Sequence, residues 1–194
     1  TVLIDGVGMP VASSGDVRTV TMPAPIPAGT LFSARVRYHG TPYVAATIFG
    51  GVGGINSANS PTWRSRVTFT QSESYHAKEW WPCKQSLQDK IDSVDMWITV
   101  PDSLKAGSNG LLKAVTRMDA THLRYEWSER YPIDHYLISA SVARYTDYSY
   151  YMHFTGSYDS MLVQNYVYAN PFTLPFFKNV IDSTGMMIDY FSQI

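Results

Sequence analysis

The sequence is poor in the residues that build self-contained chemistry. Its single cysteine, Cys83, excludes an intrachain disulfide and any multi-thiolate zinc or iron–sulfur site. Charge of one sign is scarce as well: 15 basic residues face 16 acidic ones, the formal net charge is -1, and no Lys/Arg run stands out. Clustered cations hold phosphate backbones, so no nucleic-acid partner is expected, and a strongly anionic membrane surface is disfavoured for the same reason. Unbroken apolar runs are missing too. Residues 45–63 are interrupted by Gly50, Gly51, Gly53, Gly54 and Pro61, and residues 160–177 by Gln164, Asn165, Asn170, Pro171 and Pro175. Neither could satisfy its backbone in lipid, so no membrane insertion is expected. Residues 1–10 carry no charged n-region ahead of an apolar stretch and do not read as a signal peptide; without an initiating Met the chain reads as processed or trimmed.

Motifs for catalysis are equally sparse. The histidines (His39, His76, His122, His135 and His153) never fall at ligand spacing, and neither H-E-x-x-H nor a G-x-S-x-G nucleophile elbow occurs. No Gly-Lys-Ser/Thr follows the cluster Gly50-Gly51-Val52-Gly53-Gly54, and Asn56 breaks G-x-G-x-x-G, so the cluster reads as a flexible surface loop rather than a phosphate cradle. Glu126 and Glu129 sit where hairpin ends would put them, which does not make a glycosidase pair.

What the sequence does have is strand pattern. Its 194 residues suffice for one domain, and 45% hydrophobic with 16% charged residues is a globular balance. Period-two alternation runs through residues 31–38 (Phe32, Ala34, Val36 and Tyr38 opposed by Ser33, Arg35 and Arg37) and returns at Val94, Met96, Ile98 and Val100. Residues 111–117 and 123–127 read as a hairpin through Met118-Asp119-Ala120-Thr121. Residues 136–145 and 161–168 read as longer strands near the middle of a sheet. With turns at Pro101-Asp102 and Ser108-Asn109-Gly110, the expected fold is mainly β, an antiparallel sandwich or open barrel of short strands. The end differs: Phe176, Phe177, Val180, Ile181, Thr184, Met187, Ile188 and Phe191 recur every three or four residues, an amphipathic helix starting near Pro175 and weakened by Gly185. It stops at Ile194 without a C-cap, as a cut chain would.

One segment is specific. Phe69-Thr70-Gln71-Ser72-Glu73, then Ala77-Lys78-Glu79-Trp80-Trp81-Pro82-Cys83, then a strand ending in Val100-Pro101, resembles the N-terminal domain of the zinc aminopeptidase N and leukotriene-hydrolase superfamily. There the pattern is T-Q-x-E/Q, A-R-x-x-F-P-C and a strand ending in V-P. Ser108-Asn109-Gly110, Trp127 through Tyr131-Pro132-Ile133, Tyr136-Leu137-Ile138-Ser139 and the earlier Tyr38-His39-Gly40-Thr41-Pro42 match further family segments in order. The resemblance covers most of residues 30–194. Two departures stand inside it: Lys78 replaces the usual Arg, which removes a bidentate fork, and Lys84-Gln85-Ser86 replaces an acid-containing turn.

The resemblance implies a saddle-shaped β-domain packed on a thermolysin-like catalytic domain. It implies that Glu73 binds the free α-amine of a peptide substrate and that Gln71 lines the pocket for its first side chain. A carboxylate facing an ammonium in a dry pocket would select for a free N-terminus. Cys83 becomes a packing residue rather than a nucleophile. The family's G-x-M-E-N loop and H-E-x-x-H zinc motif lie downstream of this segment. The reading is therefore residues 1–170 as the β-domain, with leading strands absent, and residues 171–194 as linker and first helix of a missing catalytic domain. No cofactor belongs to this piece, which is expected to be inactive alone; zinc belongs to the parent. Its partners are the catalytic domain of the same chain and a peptide with a free N-terminus. Two rivals stand beside it: a free-standing module binding glycan or protein through Trp63, Trp80 or Trp81, and the scaffold domain of a homologue that has lost zinc. A surface rich in Ser, Thr and Tyr with sparse lysine points to an extracytoplasmic (periplasmic or secreted) place.

Overall fold

The structure, a computed structural model, describes residues 1–41 and 53–193. Gly50, Gly51 and Val52 of the glycine cluster, Pro42 of the Tyr38–Pro42 match, and Ile194 lie outside these. The chain divides into two units, Thr1–Pro42 and Tyr43–Ile194.

The first unit is built of short ladders. Strands β1 (Val2–Ile4), β2 (Val7–Met9) and β5 (Ala34–Val36) form one antiparallel sheet in the order β2-β1-β5, while β3 (Val11–Ser14) and β4 (Val17–Val20) pair as a separate hairpin. Asp5 and Gly6, both at positive φ, make the two-residue turn between β1 and β2. The Asp5 carboxylate accepts hydrogen bonds from the Ser33 N–H at 2.7 Å and the Ser33 hydroxyl at 3.1 Å, tying that turn to the start of β5. The alternation across residues 31–38 yields only three strand residues. Among the described residues β5 pairs with β1 alone, and β1 is itself three residues long.

The second unit carries the core. Its strands are β6 (Gly54–Ser60), β7 (Ser65–Gln71), β8 (Val94–Pro101), β9 (Lys105–Ser108), β10 (Leu111–Arg117), β11 (His122–Glu129), β12 (Ala140–Ala143), β13 (Tyr145–Asp147), β14 (Tyr150–His153), β15 (Ser160–Val163) and β16 (Tyr166–Tyr168). They form antiparallel sheets β10-β11-β8 and β6-β7-β12-β9, with the pairs β13-β16 and β14-β15. The expected hairpin of β10 and β11 is present, and β11 pairs β8 from His122↔Pro101 to Glu129↔Val94. Alternation on β8 sends Met96, Ile98 and Val100 inward and leaves Trp97 exposed. The buried cluster Val100, Ala106, Tyr125 and Trp127, joined by Val142 and Tyr166, sits between the two larger sheets. The Trp127 indole donates to the Ala106 carbonyl at 2.9 Å, so the largest core ring leaves no orphan donor.

The long strands expected over 136–145 and 161–168 are broken. His135–Leu137 is a single 3-10 turn, and the next residues bond to side chains instead of a ladder. Asn109 Nδ2 donates to the Leu137 carbonyl, the Ser139 N–H donates to Asn109 Oδ1, and the Ser108 hydroxyl donates to the Ser139 carbonyl. Gly110 completes this turn at φ +77, where a Cβ would lie 2.2 Å from the Ser128 carbonyl oxygen.

Helix α1 (Thr173–Phe191) closes the second unit. The Tyr148 hydroxyl donates to Asp182 and the Tyr150 hydroxyl to the Ile181 carbonyl, while the Gly185 N–H donates back to Tyr150. Farther along, the N–H and hydroxyl of Thr155 both donate to Asp189. Trp63 packs on Phe176 and Phe177 at 5.4 and 5.5 Å between centroids. The apolar stripe read from the sequence splits in two. Phe177, Ile181 and Ile188 are half-buried against the sheet side, whereas Phe176, Val180, Met187 and Phe191, with Phe172 before them, are exposed. Among the described residues no helix is long and apolar enough to cross a membrane.

Candidate functional site

Gln71 is the last residue of β7, paired with Gly54 of β6. Past it the chain turns at once. Ser72 is buried; its carbonyl accepts the His76 N–H at 3.0 Å and its hydroxyl accepts the Trp80 indole N–H at 2.9 Å. Between these two pinned residues Glu73, Ser74 and Tyr75 loop out, and the Glu73–Ser74 peptide is cis. The loop runs into a 3-10 turn, Ala77–Glu79, whose fully buried Ala77 offers its carbonyl to the N–H groups of Trp80 and Trp81.

Under this turn lies Gly53. His76 Nδ1 and Glu79 Oε1 are 2.7 Å apart, and a Cβ on Gly53 would fall 2.4 Å from that ring nitrogen. Asn56, buried on β6, donates to the Gly53 carbonyl at 3.2 Å. The second Glu79 oxygen is buried with no hydrogen-bond partner among the described residues. None of these contacts uses the Gln71 amide or the Glu73 carboxylate. Gln71 is half-buried and Glu73 is exposed.

The other candidates are engaged in structure. Glu126 accepts from Arg124 and from the Thr116 hydroxyl, which hold its carboxyl below the ordinary range, the arginine first. Glu129 accepts the Tyr131 N–H, so the two acids do not form a facing pair. Burial pushes the Cys83 thiol up, more than the Gln85 hydrogen bond lowers it, which disfavours the nucleophilic thiolate. Asp119 is pulled down to about 2, first by the Thr121 N–H and then by His122, at the exposed tip of the β10–β11 hairpin. Among the described residues no group of three or more His, Cys, Asp or Glu could hold a metal ion, so this donor set does not fit zinc.

An open cleft of about 450 Å³ lies beside the end of β7, lined by Phe69, Thr70, Ser108, Trp127, Ser139 and Tyr166 among others. Its polar groups are spent: Thr70 Oγ1 accepts the Ala140 N–H, Ser108 donates to Ser139, and Trp127 donates to Ala106. Nor do the tryptophans proposed as a glycan platform lie flat and free. Trp63 is covered by Phe176 and Phe177, and Trp80 is bonded to Ser72 and tilted against Trp81 at 6.1 Å.

Sequence reasoning named Gln71 and Glu73 but not the contacts around their loop, made by Ser72, His76, Glu79 and Gly53. The His76/Glu79 spacing of i, i+3 was a signal of one tight turn. The approach of Gly53 carried no local signal.

No protein-family model matches the chain, and no curated protein does. Solved structures do match. A two-domain M1 zinc metallopeptidase variant bound to L-arginine superposes with a TM-score of 0.74 at 18% identity, covering 87% of this chain and 37% of that chain. An M1 zinc metallopeptidase from Deinococcus radiodurans gives 0.73 at 17% identity over the same shares. A variant of it bound to a Tyr-Ser-Ala substrate gives the same values. The chain thus has the fold of a segment of M1 zinc metallopeptidases, and it spans 37% of the length of these structures.

Proposed function

We propose that this chain, which has the fold of an M1 zinc metallopeptidase segment, is the non-catalytic β-domain of a zinc-dependent aminopeptidase that removes N-terminal residues from peptides. In this reading residues 1–170 are the β-domain, and residues 171–194 link it to the catalytic domain and open that domain's first helix. Glu73 binds the substrate's free α-amine and Gln71 lines the pocket for its first side chain. In this reading zinc belongs to the remainder of the parent rather than to this segment.

The observation that carries the reading is local. The T-Q-x-E motif lies on a strand end and a pinned loop, with its acidic side chain exposed and uncommitted, in a chain whose fold matches M1 metallopeptidases. An exposed carboxylate on a loop braced at both ends is preorganised to meet an ammonium once a second domain covers it and removes water. The exposed side of α1 supports such a cover. Phe172, Phe176, Val180, Met187 and Phe191 offer an apolar stripe of the kind that is buried by a partner, here the catalytic domain of the same chain.

The test is kinetic selectivity in the parent enzyme. Glu73→Ala removes one partner of a desolvated charge pair worth about 2–4 kcal/mol, so kcat/KM for free-amine peptides should fall roughly 30- to 1,000-fold. N-acetylated peptides, which lack the ammonium, should lose far less. Equal losses for both would remove the anchor role. A wild-type parent that neither binds zinc nor cleaves would favour the scaffold reading.

A further inference from the structure

We propose that His76 and Glu79 are a positioning pair that fixes Glu73 for amine recognition, with Gly53 as the seat on which the pair closes. The proposal rests on the reading of Glu73 given above. The hydrogen bond from the His76 N–H to the Ser72 carbonyl draws a small ring around Glu73, Ser74 and Tyr75. The direction of the Glu73 side chain therefore depends on the two residues at the neck of that ring. Ser72 is held by the Trp80 indole at 2.9 Å, and His76 by Glu79 at 2.7 Å. Those two brackets come from consecutive residues at the end of one 3-10 turn, Glu79 and Trp80, so the ring and the turn are tied together at both ends of the neck.

Gly53 sets the height of this body. A Cβ at that position would lie 2.4 and 2.5 Å from atoms of the imidazole and 2.7 Å from Glu79 Oε2, so any side chain there displaces both partners. Asn56 holds the Gly53 backbone through its carbonyl, and the seat itself is thus tied to β6. The pair is also well shielded, with the His76 and Glu79 side chains 21% and 10% exposed. Among the described residues its second carboxylate oxygen is buried without a partner, a cost that an aliphatic residue would avoid. Fold stability alone does not explain that arrangement. The main core cluster of Val100, Ala106, Tyr125 and Trp127 contains none of these residues. Holding one exposed carboxylate in a fixed direction does explain it.

The experiment compares Glu79→Ala, Glu79→Gln and Gly53→Ala by two readouts. In this chain, amide exchange at the His76 N–H should speed at least about tenfold in Glu79→Ala and Gly53→Ala, with the amides of β8 and β11 unchanged. Glu79→Gln, whose side-chain carbonyl can still accept from His76, should restore most of the protection. In the parent enzyme, Glu79→Ala should raise KM for a free-amine peptide about tenfold with kcat nearly kept, and Glu79→Gln should rescue it. Unchanged exchange at His76 overturns the proposal, and so does loosened exchange with a wild-type KM. Loss of protection throughout β8 and β11 with no rescue by Gln overturns it in favour of a purely structural pair. A failure of the underlying reading shows separately, as a Glu73→Ala enzyme with unaltered preference for free amines.

Discussion

Gly185 lies in the interior of α1, where glycine is about 1 kcal/mol worse than alanine, so propensity alone makes Gly185→Ala stabilising by that amount. Packing opposes it. A Cβ at 185 would sit 3.3 Å from Met152 Cβ and 3.4 Å from both a ring carbon and the hydroxyl oxygen of Tyr150. Apolar carbons prefer roughly 3.5–4.0 Å, so something must yield by a few tenths of an ångström. Met152 Cβ cannot, because it is fixed to the backbone of β14 opposite Met161. Moving Tyr150 strains two hydrogen bonds, to the Ile181 carbonyl at 2.8 Å and from the Gly185 N–H at 3.1 Å, each worth about 1 kcal/mol. Overpacking at about 1–3 kcal/mol therefore outweighs the propensity gain, and Gly185→Ala should destabilise by about 1 kcal/mol. Urea unfolding followed by circular dichroism should show a lower midpoint at an unchanged slope, while Asn179→Ala on the exposed side of the same helix gains a few tenths of a kcal/mol. A Gly185→Ala protein stabilised by the full propensity term would refute the packing argument.

Two other perturbations follow from the same structure. Trp127→Ala removes the largest ring of the core cluster and leaves the Ala106 carbonyl without its donor, so it should cost about 3–5 kcal/mol, read as a lowered urea midpoint; a loss under about 1 kcal/mol would contradict the placement of the core. Acid should undock α1. Asp182 is held below its ordinary 3.8 first by Lys178 and then by Tyr148, and Asp189 first by the Thr155 hydroxyl and then by its N–H. Groups depressed in the fold stabilise it above the ordinary carboxylate value and lose that contribution as pH falls through the folded one. Amide protection across residues 173–191 should therefore drop below pH about 4, after correction for intrinsic exchange, and unchanged protection at pH 3 would contradict it.

What was legible in the sequence was whatever one buried face imposes. β8 and the β10–β11 hairpin follow from alternation because their inner residues, Met96, Ile98, Val100, Tyr125 and Trp127, all enter one core. The turn at Gly110 and the start of α1 follow from local chemistry. Residues 136–145 misled because Asn109 and Ser108 supply bonds that a ladder would supply, and nothing in that segment announces a distant amide. The helix misled in another way: hydrophobic spacing marks apolar faces without saying which is covered, so Ile181 and Val180 read alike although one is half-buried and the other is exposed. At the candidate site, Gln71 and Glu73 were named from a motif. Their supports were not, because Gly53 meets His76 only after β6 and β7 have paired.

The most direct test of the central claim is the zinc content of the natural protein encoded when the gene is read through and beyond the codon for Ile194. A peptidase parent predicts an open frame carrying G-x-M-E-N and then H-E-x-x-H, and a purified product that holds zinc in stoichiometric amount. A natural product without those motifs and without zinc would contradict the account.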